Sequence, residues 1–437
     1  MNKPKIGLSF CDFSLGGIQR VALYLTRMFA KAGWDVVLIT RRTAETDLYA
    51  WDLGCPRYVI GEARDPDRTR LLSECVAHEK LDVVFLHEYW LPSLRTDIRA
   101  VQDSGAKAVV HFHNVFSNLL IKGFDAGRIA DIYGAMRDAD AVITLSRTDE
   151  LFFKTFGCNA VYLPNPVADT PLLPRHANFP SHTIVWSGRF NANIKRPFEA
   201  VKIFELVMQE VPDASLVLLG DSEGAEGARI RSYLAKNAML KGRVRLTGVV
   251  DNVWTYLQDA GVFLSTSRIE GFPCSICEAM ASEVPVVSYA LDYLEVFADE
   301  EAYVRVEQNS REDAARRIVE LFSNPAKRRQ TVMAGRKTFE SFQGVDLLQR
   351  YECLLAALRD SKPASSTVID ERYGLVLKTL VEHVMQLMSG KPCIRGKSGV
   401  RGKSGVRREA GALRRCLQCY RDEGLWYTLK RIVALGR

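Results

Sequence analysis

The chain contains 437 residues, of which 47% are hydrophobic and 25% are charged, and its formal net charge at pH 7 is +7. This composition is ordinary for a soluble globular protein, and the length predicts two or three domains. No apolar run is long enough to span a membrane, and the N-terminus leads directly into a strand pattern without a signal peptide, so we expect a cytoplasmic protein.

Short apolar runs alternate with helical patterns along most of the chain. The first half has a predicted helix at 17–32 and predicted strands at 5–10, 35–40, 81–86, 107–112 and 140–145. The second half has predicted strands at 182–187, 214–220, 243–248, 261–266, 285–289 and 302–306. This alternation indicates βαβ units and parallel sheets, in two Rossmann-like halves that meet near 164–180. Neither half carries a G-x-G-x-x-G motif after its first strand, which argues against NAD or FAD.

Two carboxylates flank a turn between predicted strands of the second half. Glu270 and Glu278 lie on either side of a Gly-Phe-Pro turn, which places Glu270 in a loop and Glu278 in the first turn of a helix. This loop follows the strand at 261–266, at the carboxyl edge of a parallel sheet, where ligands bind. The helix start offers N–H groups to an anion. Acidic residues also favour helix N-termini for purely structural reasons.

The segment around these carboxylates resembles a known family. The pattern S-R-x-E-G-F-P-x-x-x-x-E-A-M-A, followed by P-V-V-S, is similar to the donor-site signature of family 4 glycosyltransferases, which are retaining, sugar-nucleotide-dependent enzymes of the GT-B fold. The resemblance covers residues 5–358. It implies two Rossmann-like domains facing across a cleft, with an acceptor domain at 1–170 and a nucleotide-sugar domain at 171–340. A return helix at 341–360 would pack on the first domain, and a basic helical extension with a linker would occupy 361–437.

The resemblance assigns donor-binding roles in the second domain. Arg189 and Lys195 match the family's G-R-x(n)-K segment, whose cations bind the donor diphosphate. The structural alternative is that both side chains are simply solvated in a loop, and the following Arg196 is compatible with that alternative. Glu270 would lie close to the hydroxyls of the transferred sugar, and Glu278 would accept hydrogen bonds from the ribose. The remaining expected donor contacts are the turn residues Gly271, Phe272, Pro273 and Cys274 and the nucleobase contacts Gly248 and Val250.

The resemblance also assigns residues in the first domain. Gly16 and Gly17, at a helix start, match a glycine loop that meets the diphosphate, although such a pair can also be a simple turn. His113 matches the family's histidine near the donor sugar and acceptor, and His111 is expected to be a satisfied strand residue. Because alternation puts His111 and His113 on one face, a metal pair is an alternative.

The family's mechanism implies no cofactor. Retention is described as front-face attack, in which the leaving phosphate oxygen takes the acceptor's proton, so no protein nucleophile is required. Arg189 and Lys195 would replace a divalent cation. Three places depart from the family pattern, namely Asn165-Pro166-Val167, Glu283-Val284 and the loop at 290–295, and the last of these normally shapes the sugar pocket. The identity of the transferred sugar is therefore left open, and a reduced activity is compatible with the sequence.

The implied activity is a hexosyltransferase that moves a sugar to a glycan or lipid-linked acceptor during synthesis of a cell-envelope polysaccharide such as lipopolysaccharide. Two alternatives stay open: a GT-B sugar-nucleotide epimerase or hydrolase, and a catalytically weakened sugar-binding scaffold. Ten scattered cysteines fit a reducing compartment. The pairs Cys274/Cys277 and Cys416/Cys419 lie far outside zinc-site spacing, so no metal site is predicted.

The excess positive charge is confined to segment 391–437, which contains 13 Lys or Arg and 3 Asp or Glu residues. A repeated RGKSGV at 395–406 lacks the glycine and strand of a P-loop, and we interpret it as a flexible basic linker. Helices are predicted at 369–388 and 412–433. The second has Trp426 and Tyr427 beside cations, which is typical of docking onto an anionic membrane surface. Packing on the catalytic body is the alternative, and nucleic-acid binding is disfavoured because no recognition module accompanies the charge.

Overall fold

The computed structural model describes residues 3–14, 16–43, 47, 54–121, 124–167, 181–250, 252–291 and 293–365. They belong to two compact units: the first contains residues up to Pro166 and again from Asp346, and the second contains Val167–Val345. Among these described ranges, no helix is both long enough and apolar enough to cross a membrane. The predicted helices at 369–388 and 412–433 and the basic segment 391–437 lie outside the described residues.

Each unit is built on one parallel sheet. The strands are β1 Lys5–Phe10, β2 Asp35–Thr40, β3 Arg57–Val59, β4 Val83–Leu86, β5 Lys107–His111, β6 Ala141–Thr144, β7 Ala160–Tyr162, β8 Thr183–Ser187, β9 Ser215–Leu219, β10 Val244–Leu246, β11 Val262–Ser265, β12 Val286–Tyr289 and β13 Val304–Val306. The first sheet has the order β3-β2-β1-β4-β5-β6-β7 and the second β10-β9-β8-β11-β12-β13. In both, the strand order reverses beside the first strand, which is where open α/β sheets bind ligands at their carboxyl edge.

Helices connect the strands and cover the sheets. They are α1 Gly17–Lys31, α2 Arg68–Glu79, α3 Leu94–Asp103, α4 Asn118–Ile121, α5 Ala126–Asp138, α6 Arg147–Thr155, α7 Pro197–Glu210, α8 Ala225–Lys236, α9 Trp254–Leu257, α10 Cys274–Ala281, α11 Arg311–Ser323, α12 Pro325–Gln343 and α13 Leu347–Arg359. Parallel strands covered on both faces are buried, which explains why the central strands read as nearly continuous apolar runs.

The last described helix, α13, packs into the core of the first unit. Asp346 caps its N-terminus by accepting a hydrogen bond from the Gln349 N–H at 2.9 Å. The buried ring of Tyr351 makes edge-to-face contacts with Phe29 at 5.1 Å and with Phe85 at 5.5 Å between ring centroids. The chain therefore forms the first unit up to β7 and then the second unit. The helix α13, which follows the second unit in sequence, completes the core of the first unit.

The strands and the helix predicted from apolar periodicity are confirmed to within three residues at their ends. Two strands, β3 and β7, were not predicted. Each has only three residues and lies at an edge of the first sheet. Short edge strands carry too few residues to show a period, so the sequence pattern could not separate them from loops.

Candidate functional site

The ends of three neighbouring strands approach closely in the second unit. Gly188 donates its N–H to Leu219 O at 3.0 Å, and Gly220 donates its N–H to Gly248 O at 3.0 Å. A Cβ atom on Gly220, whose φ is +142°, would lie 2.0 Å from Gly188 O, so only glycine fits there. The carboxyl ends of β8, β9 and β10 therefore lie side by side at the start of the loop that carries Arg189 and Lys195.

The buried side chain of Arg196 holds that loop in place. It has left-handed backbone angles, with φ 54° and ψ 57°, and its side chain is buried. The guanidinium donates hydrogen bonds to Thr266 O at 2.8 Å, Asn309 Oδ1 at 2.6 Å and Gln308 Oε1 at 2.6 Å, and it lies 4.9 Å from the Tyr289 ring centroid. Burial lowers the pKa of Arg196 to about 10, which leaves the group charged at neutral pH. A solvated position for Arg196 is therefore wrong.

Lys195 and Glu270 form an ion pair that joins the loops after β8 and β11. Lys195 Nζ lies 2.6 Å from Glu270 Oε1, and the side chains are 20% and 9% exposed. Ser267 Oγ donates to the same carboxylate oxygen at 2.6 Å. The Thr266 hydroxyl lies 2.8 Å from Lys195 O, which makes a second link between the loops. Two residues that the family pattern places far apart in sequence are thus held in direct contact.

The backbone of Glu270 is fixed by Tyr293. The Glu270 N–H donates to the Tyr293 hydroxyl at 2.8 Å, and this hydroxyl donates to Glu270 O at 2.9 Å. Tyr293 belongs to the loop at 290–295 that departs from the family pattern. The departure therefore supplies a side chain that holds the turn after β11, a role that no local sequence signal indicated.

Glu278 lies in the second turn of α10, so its predicted position in the first turn is wrong. The helix begins at Cys274, because Pro273 has non-helical angles of φ −86° and ψ 69°. Glu278 is thus the fifth residue of α10, and it is 8% exposed. Within the preceding turn, Phe272 packs edge-to-face on Phe342 at 5.8 Å between ring centroids.

The other predicted donor contacts occupy separate positions of the same unit. Arg189 is exposed and directly follows Gly188, in the loop that Lys195 ends. Gly248 has φ +71° and turns the chain after β10. Val250, two residues later, packs partly buried against the apolar cluster that contains α10. The second unit therefore brings Lys195 and Glu270 together and leaves Arg189 at the surface of their loop.

The glycine pair of the first unit begins α1, as predicted. Gly17 is the first helical residue, and a Cβ atom there would meet no atom within 4 Å among the described residues. Gly16 has an extended φ of 169°, which any residue can adopt, and its Cβ would meet only the flexible side chain of Gln19. Packing within the described part of the chain therefore does not require either glycine.

Three histidines meet at the carboxyl edge of the first sheet. His87 Nδ1 lies 2.7 Å from His113 Nε2, and the His111 and His113 rings stack at 3.9 Å between centroids. Burial lowers the pKa of His87 to about 3 and holds the pKa values of His111 and His113 well below their ordinary range. Neither ring nitrogen of His111 has a hydrogen-bond partner among the described residues, so its expected role as a satisfied strand residue is wrong.

Solved structures define the fold. The chain is similar to the sucrose-phosphate synthase of Thermosynechococcus elongatus, with TM-score 0.64, 19% identity and coverage of 88% of this chain and 100% of that chain. It is also similar to Anabaena HepE in complex with UDP and glucose, with TM-score 0.68, 16% identity and coverage of 81% and 100%. The fold is that of the GT-B glycosyltransferases, which confirms the predicted class with its two Rossmann-like units.

Sequence comparisons define the family. The model "Glycosyltransferase Family 4" matches residues 15–170, and the model "Glycosyl transferases group 1" matches residues 176–338. The chain belongs to the family 4, group 1 glycosyltransferases, and the predicted family is confirmed.

Two curated relatives are poly(glycerol-phosphate) α-glucosyltransferase of Bacillus subtilis and N-acetyl-α-D-glucosaminyl L-malate synthase of Bacillus anthracis. The first is 33% identical over 190 residues, which are 43% of this chain but only 27% of the relative's own length. The second is 25% identical over 386 residues, which cover 82% of this chain and 99% of the relative.

Proposed function

We propose that this chain transfers a hexosyl group from a nucleoside diphosphate sugar, with retention of anomeric configuration, to a glycan or lipid-linked acceptor in cell-envelope polysaccharide synthesis. The observation that carries the proposal is the contact of Lys195 Nζ with Glu270 Oε1 at 2.6 Å, at the carboxyl edge of the second sheet. A cation and a carboxylate at this edge match the two parts of a donor, its diphosphate and its sugar. The membership of a glycosyltransferase family supports the same class of reaction.

Lys195 and Arg189 bind the donor diphosphate in this proposal. Cleavage of the glycosyl bond leaves negative charge on the departing phosphate, and preorganised cations stabilise that charge most effectively. Lys195 is held by Glu270 and by the buried Arg196 next to it, so its position costs little reorganisation during reaction. With two cations in this role, departure of the diphosphate requires no divalent metal.

The carboxylates bind the sugar and the ribose of the donor. Glu270, held through its backbone by Tyr293, accepts hydrogen bonds from the hydroxyls of the transferred sugar, and Glu278 accepts them from the ribose. The turn formed by Gly271, Phe272, Pro273 and Cys274 offers N–H groups to sugar and phosphate, and Gly248 and Val250 contact the base. For the first unit, we assign phosphate binding to Gly16 and Gly17 and recognition of the transferred sugar to His113.

Retention follows from front-face attack by the acceptor hydroxyl. The new glycosidic bond forms on the face from which the phosphate departs, and the phosphate oxygen takes the acceptor's proton. The names of the two curated relatives specify an α-glucosyl and an α-glucosaminyl group, which supports retention for a donor whose sugar is itself α-configured. We place the enzyme in the cytoplasm, with the basic segment 391–437 docking it to an anionic membrane surface; that segment lies outside the described residues.

Product analysis tests the proposal. The full chain is first screened by thermal shift against UDP-, GDP-, ADP- and dTDP-sugars, because a ligand that binds the folded state raises its stability. The stabilising donor is then incubated with candidate acceptors in EDTA, and the anomeric configuration of the product is read by NMR. Release of nucleoside diphosphate together with a glycoside that keeps the anomeric configuration of the donor is expected. An epimerised nucleotide sugar, or hydrolysis alone in the presence of every acceptor, supports the epimerase or hydrolase alternative instead. Binding of a donor without release of nucleoside diphosphate favours the catalytically weakened scaffold, and failure of every donor to bind would contradict the proposal.

A further inference from the structure

The sheet of the first unit brings three imidazole rings to one point. His87 is the first residue after β4, His111 is the last residue of β5, and His113 follows two residues later. Because β4 and β5 are adjacent and parallel, both strands end at the same edge of the sheet. One nitrogen from each ring can be chosen so that all three lie within 4.8 Å of one another. Such convergence is what a metal ion requires of its ligands.

Several buried nitrogens in this cluster have no partner in the part of the chain that the structure describes. His87 Nε2, both ring nitrogens of His111 and His113 Nδ1 make no hydrogen bond to any group in the described ranges. The side chains of His87 and His111 are 0% and 1% exposed, whereas His113 is partly exposed. Native proteins rarely leave buried polar atoms unpaired, and an ion or a water commonly accounts for such groups. The cluster therefore points to a bound species at its centre, which can enter on the side of His113.

The donor atoms of the cluster suit a transition-metal ion, because an imidazole ring binds such ions through the lone pair of a ring nitrogen. Three neutral nitrogen ligands suit zinc, copper, nickel or iron, whereas magnesium and calcium prefer oxygen.

We propose that His87, His111 and His113 bind one divalent transition-metal ion, with Zn²⁺ the preferred ion. Tetrahedral Zn–N bonds of about 2.0–2.1 Å place ligand nitrogens about 3.3 Å apart. His87 Nδ1 and His113 Nε2, now 2.7 Å apart, would separate by about half an ångström to reach that geometry. Three protein ligands leave the fourth position to a water or to an oxygen of a bound ligand. This site is separate from the cations Arg189 and Lys195 of the second unit.

Metal titration of the intact, tag-free chain tests the proposal. The protein is stripped with EDTA, desalted, and titrated with Zn²⁺ by calorimetry and with Co²⁺ by visible absorption, with Mg²⁺ as the hard-ion control. We expect one Zn²⁺ or Co²⁺ per chain, a tetrahedral Co²⁺ spectrum without thiolate charge-transfer bands, and no Mg²⁺ binding. The readout needs no nucleotide sugar, so it is independent of the glycosyl-transfer proposal.

Variants assign the site. His87→Gln and His113→Gln should each weaken Zn²⁺ binding at least tenfold to a hundredfold, roughly the loss caused by removing even an outer-shell partner of a metal ligand. His78→Gln, which changes an exposed histidine on α2, and Cys353→Ser, which removes an exposed thiol on α13, should bind as the wild type does. Because His113 is partly exposed, we expect His113→Gln to fold even where the variant of the buried His87 does not. Absence of stoichiometric Zn²⁺ and Co²⁺ binding, or binding unchanged in His113→Gln, would overturn the proposal.

Discussion

Lys195 Nζ and Glu270 Oε1 lie 2.6 Å apart and join the two loops that follow the central strands β8 and β11 of the second unit. The pair is mostly shielded from water, with the lysine side chain 20% and the glutamate side chain 9% exposed. Ser267 adds a hydrogen bond to the same carboxylate oxygen. A ligand that contacts either side chain therefore meets both, and substitution of one partner alters the electrostatic environment of the other.

Substitution of Lys195 should impair catalysis far more than folding. Lys195→Ala removes a cation from the site of developing phosphate charge, and we expect kcat/KM to fall by about 10²–10³-fold. Glu270→Gln should also lower kcat/KM, and the double variant should show a coupling free energy of about 0.5–3 kcal/mol because the two side chains are in contact. Steady-state kinetics on the three variants measures the cycle.

Lys202→Ala is the matched control for this cycle. Lys202 is also ion-paired and partly buried, with Glu205 on α7, but lies outside the candidate site. Its activity should stay within about twofold of wild type, as for surface changes away from the site. Equal losses in Lys195→Ala and Lys202→Ala would mean that Lys195 has no special part in the reaction.

Two arginines of the same loop should have opposite phenotypes. Arg196→Ala removes a buried cation together with the hydrogen bonds that it donates to Thr266 O and Gln308 Oε1, so the free energy of unfolding should fall by about 1–3 kcal/mol for each buried acceptor that loses its donor. Arg189→Ala changes an exposed side chain and should alter it by less than about 0.5 kcal/mol. Urea denaturation measures both. Arg189→Ala should instead weaken nucleotide binding in the thermal-shift assay, and wild-type binding by this variant would remove Arg189 from the donor site.

The variant Gly17→Ala distinguishes a role of Gly17 in ligand binding from a purely structural role as part of a turn. A Cβ atom at Gly17 meets no atom of the described residues within 4 Å, and alanine is a better helix former than glycine, so stability should stay equal or rise by up to about 1 kcal/mol. If the backbone there approaches a diphosphate, the added methyl group should raise the donor KM. Gly224→Ala, also with open space at a helix start, is the control and should leave KM unchanged. Unchanged kinetics in both variants would favour the turn interpretation.

Glu199 should stabilise the folded state near neutral pH and make that stability fall in acid. Burial by itself raises the pKa of this carboxyl, but two hydrogen bonds from Arg311, each 2.8 Å, lower the pKa below its ordinary value overall. The unfolded chain therefore binds a proton at higher pH than the native state does. Stability from Glu199 is present above about pH 4.5 and is lost as the pH falls through the lower native pKa, by at most about 1.4 kcal/mol per pH unit. Urea denaturation between pH 3 and 6 should give a shallower acid slope for Glu199→Gln than for wild type, and parallel slopes would contradict this assignment.

Tyr351 tests whether α13 belongs to the core of the first unit. Its ring is buried between Phe29 and Phe85, and its hydroxyl has no hydrogen-bond partner among the residues that the structure describes. Tyr351→Ala should destabilise by about 3–5 kcal/mol, as deletion of a large buried ring does. Tyr351→Phe removes only the unpaired hydroxyl and should be neutral or stabilising by about 1 kcal/mol. A small effect of the alanine variant on the urea midpoint would show that the helix contributes little to this core.

Local patterns predicted the elements but not all of their functional details. The Gly-Phe-Pro turn correctly predicted a loop between β11 and a helix, yet the helix began one residue after the proline, which moved Glu278 into the second turn. Alternation correctly put His111 and His113 on one side of β5, but it could not reveal that His87 joins them from β4. In each case the missing information was the backbone conformation of one residue or the identity of its spatial neighbour. Neither of these produces a periodic pattern in the sequence.

The sequence by itself determined the two parallel sheets, because buried parallel strands need continuous apolar runs, and it determined the family, because a spaced set of polar residues follows those runs. Only the tertiary structure decided which of these residues are in contact. Arg196 donates hydrogen bonds to Gln308 and Asn309, which are more than a hundred positions away in the sequence, and the backbone N–H of Glu270 donates to the hydroxyl of Tyr293. The reason is physical. The order of the strands brings the ends of strands that are distant in sequence to one edge of the sheet, and each polar group that is buried there needs a hydrogen-bonding partner from a neighbouring loop.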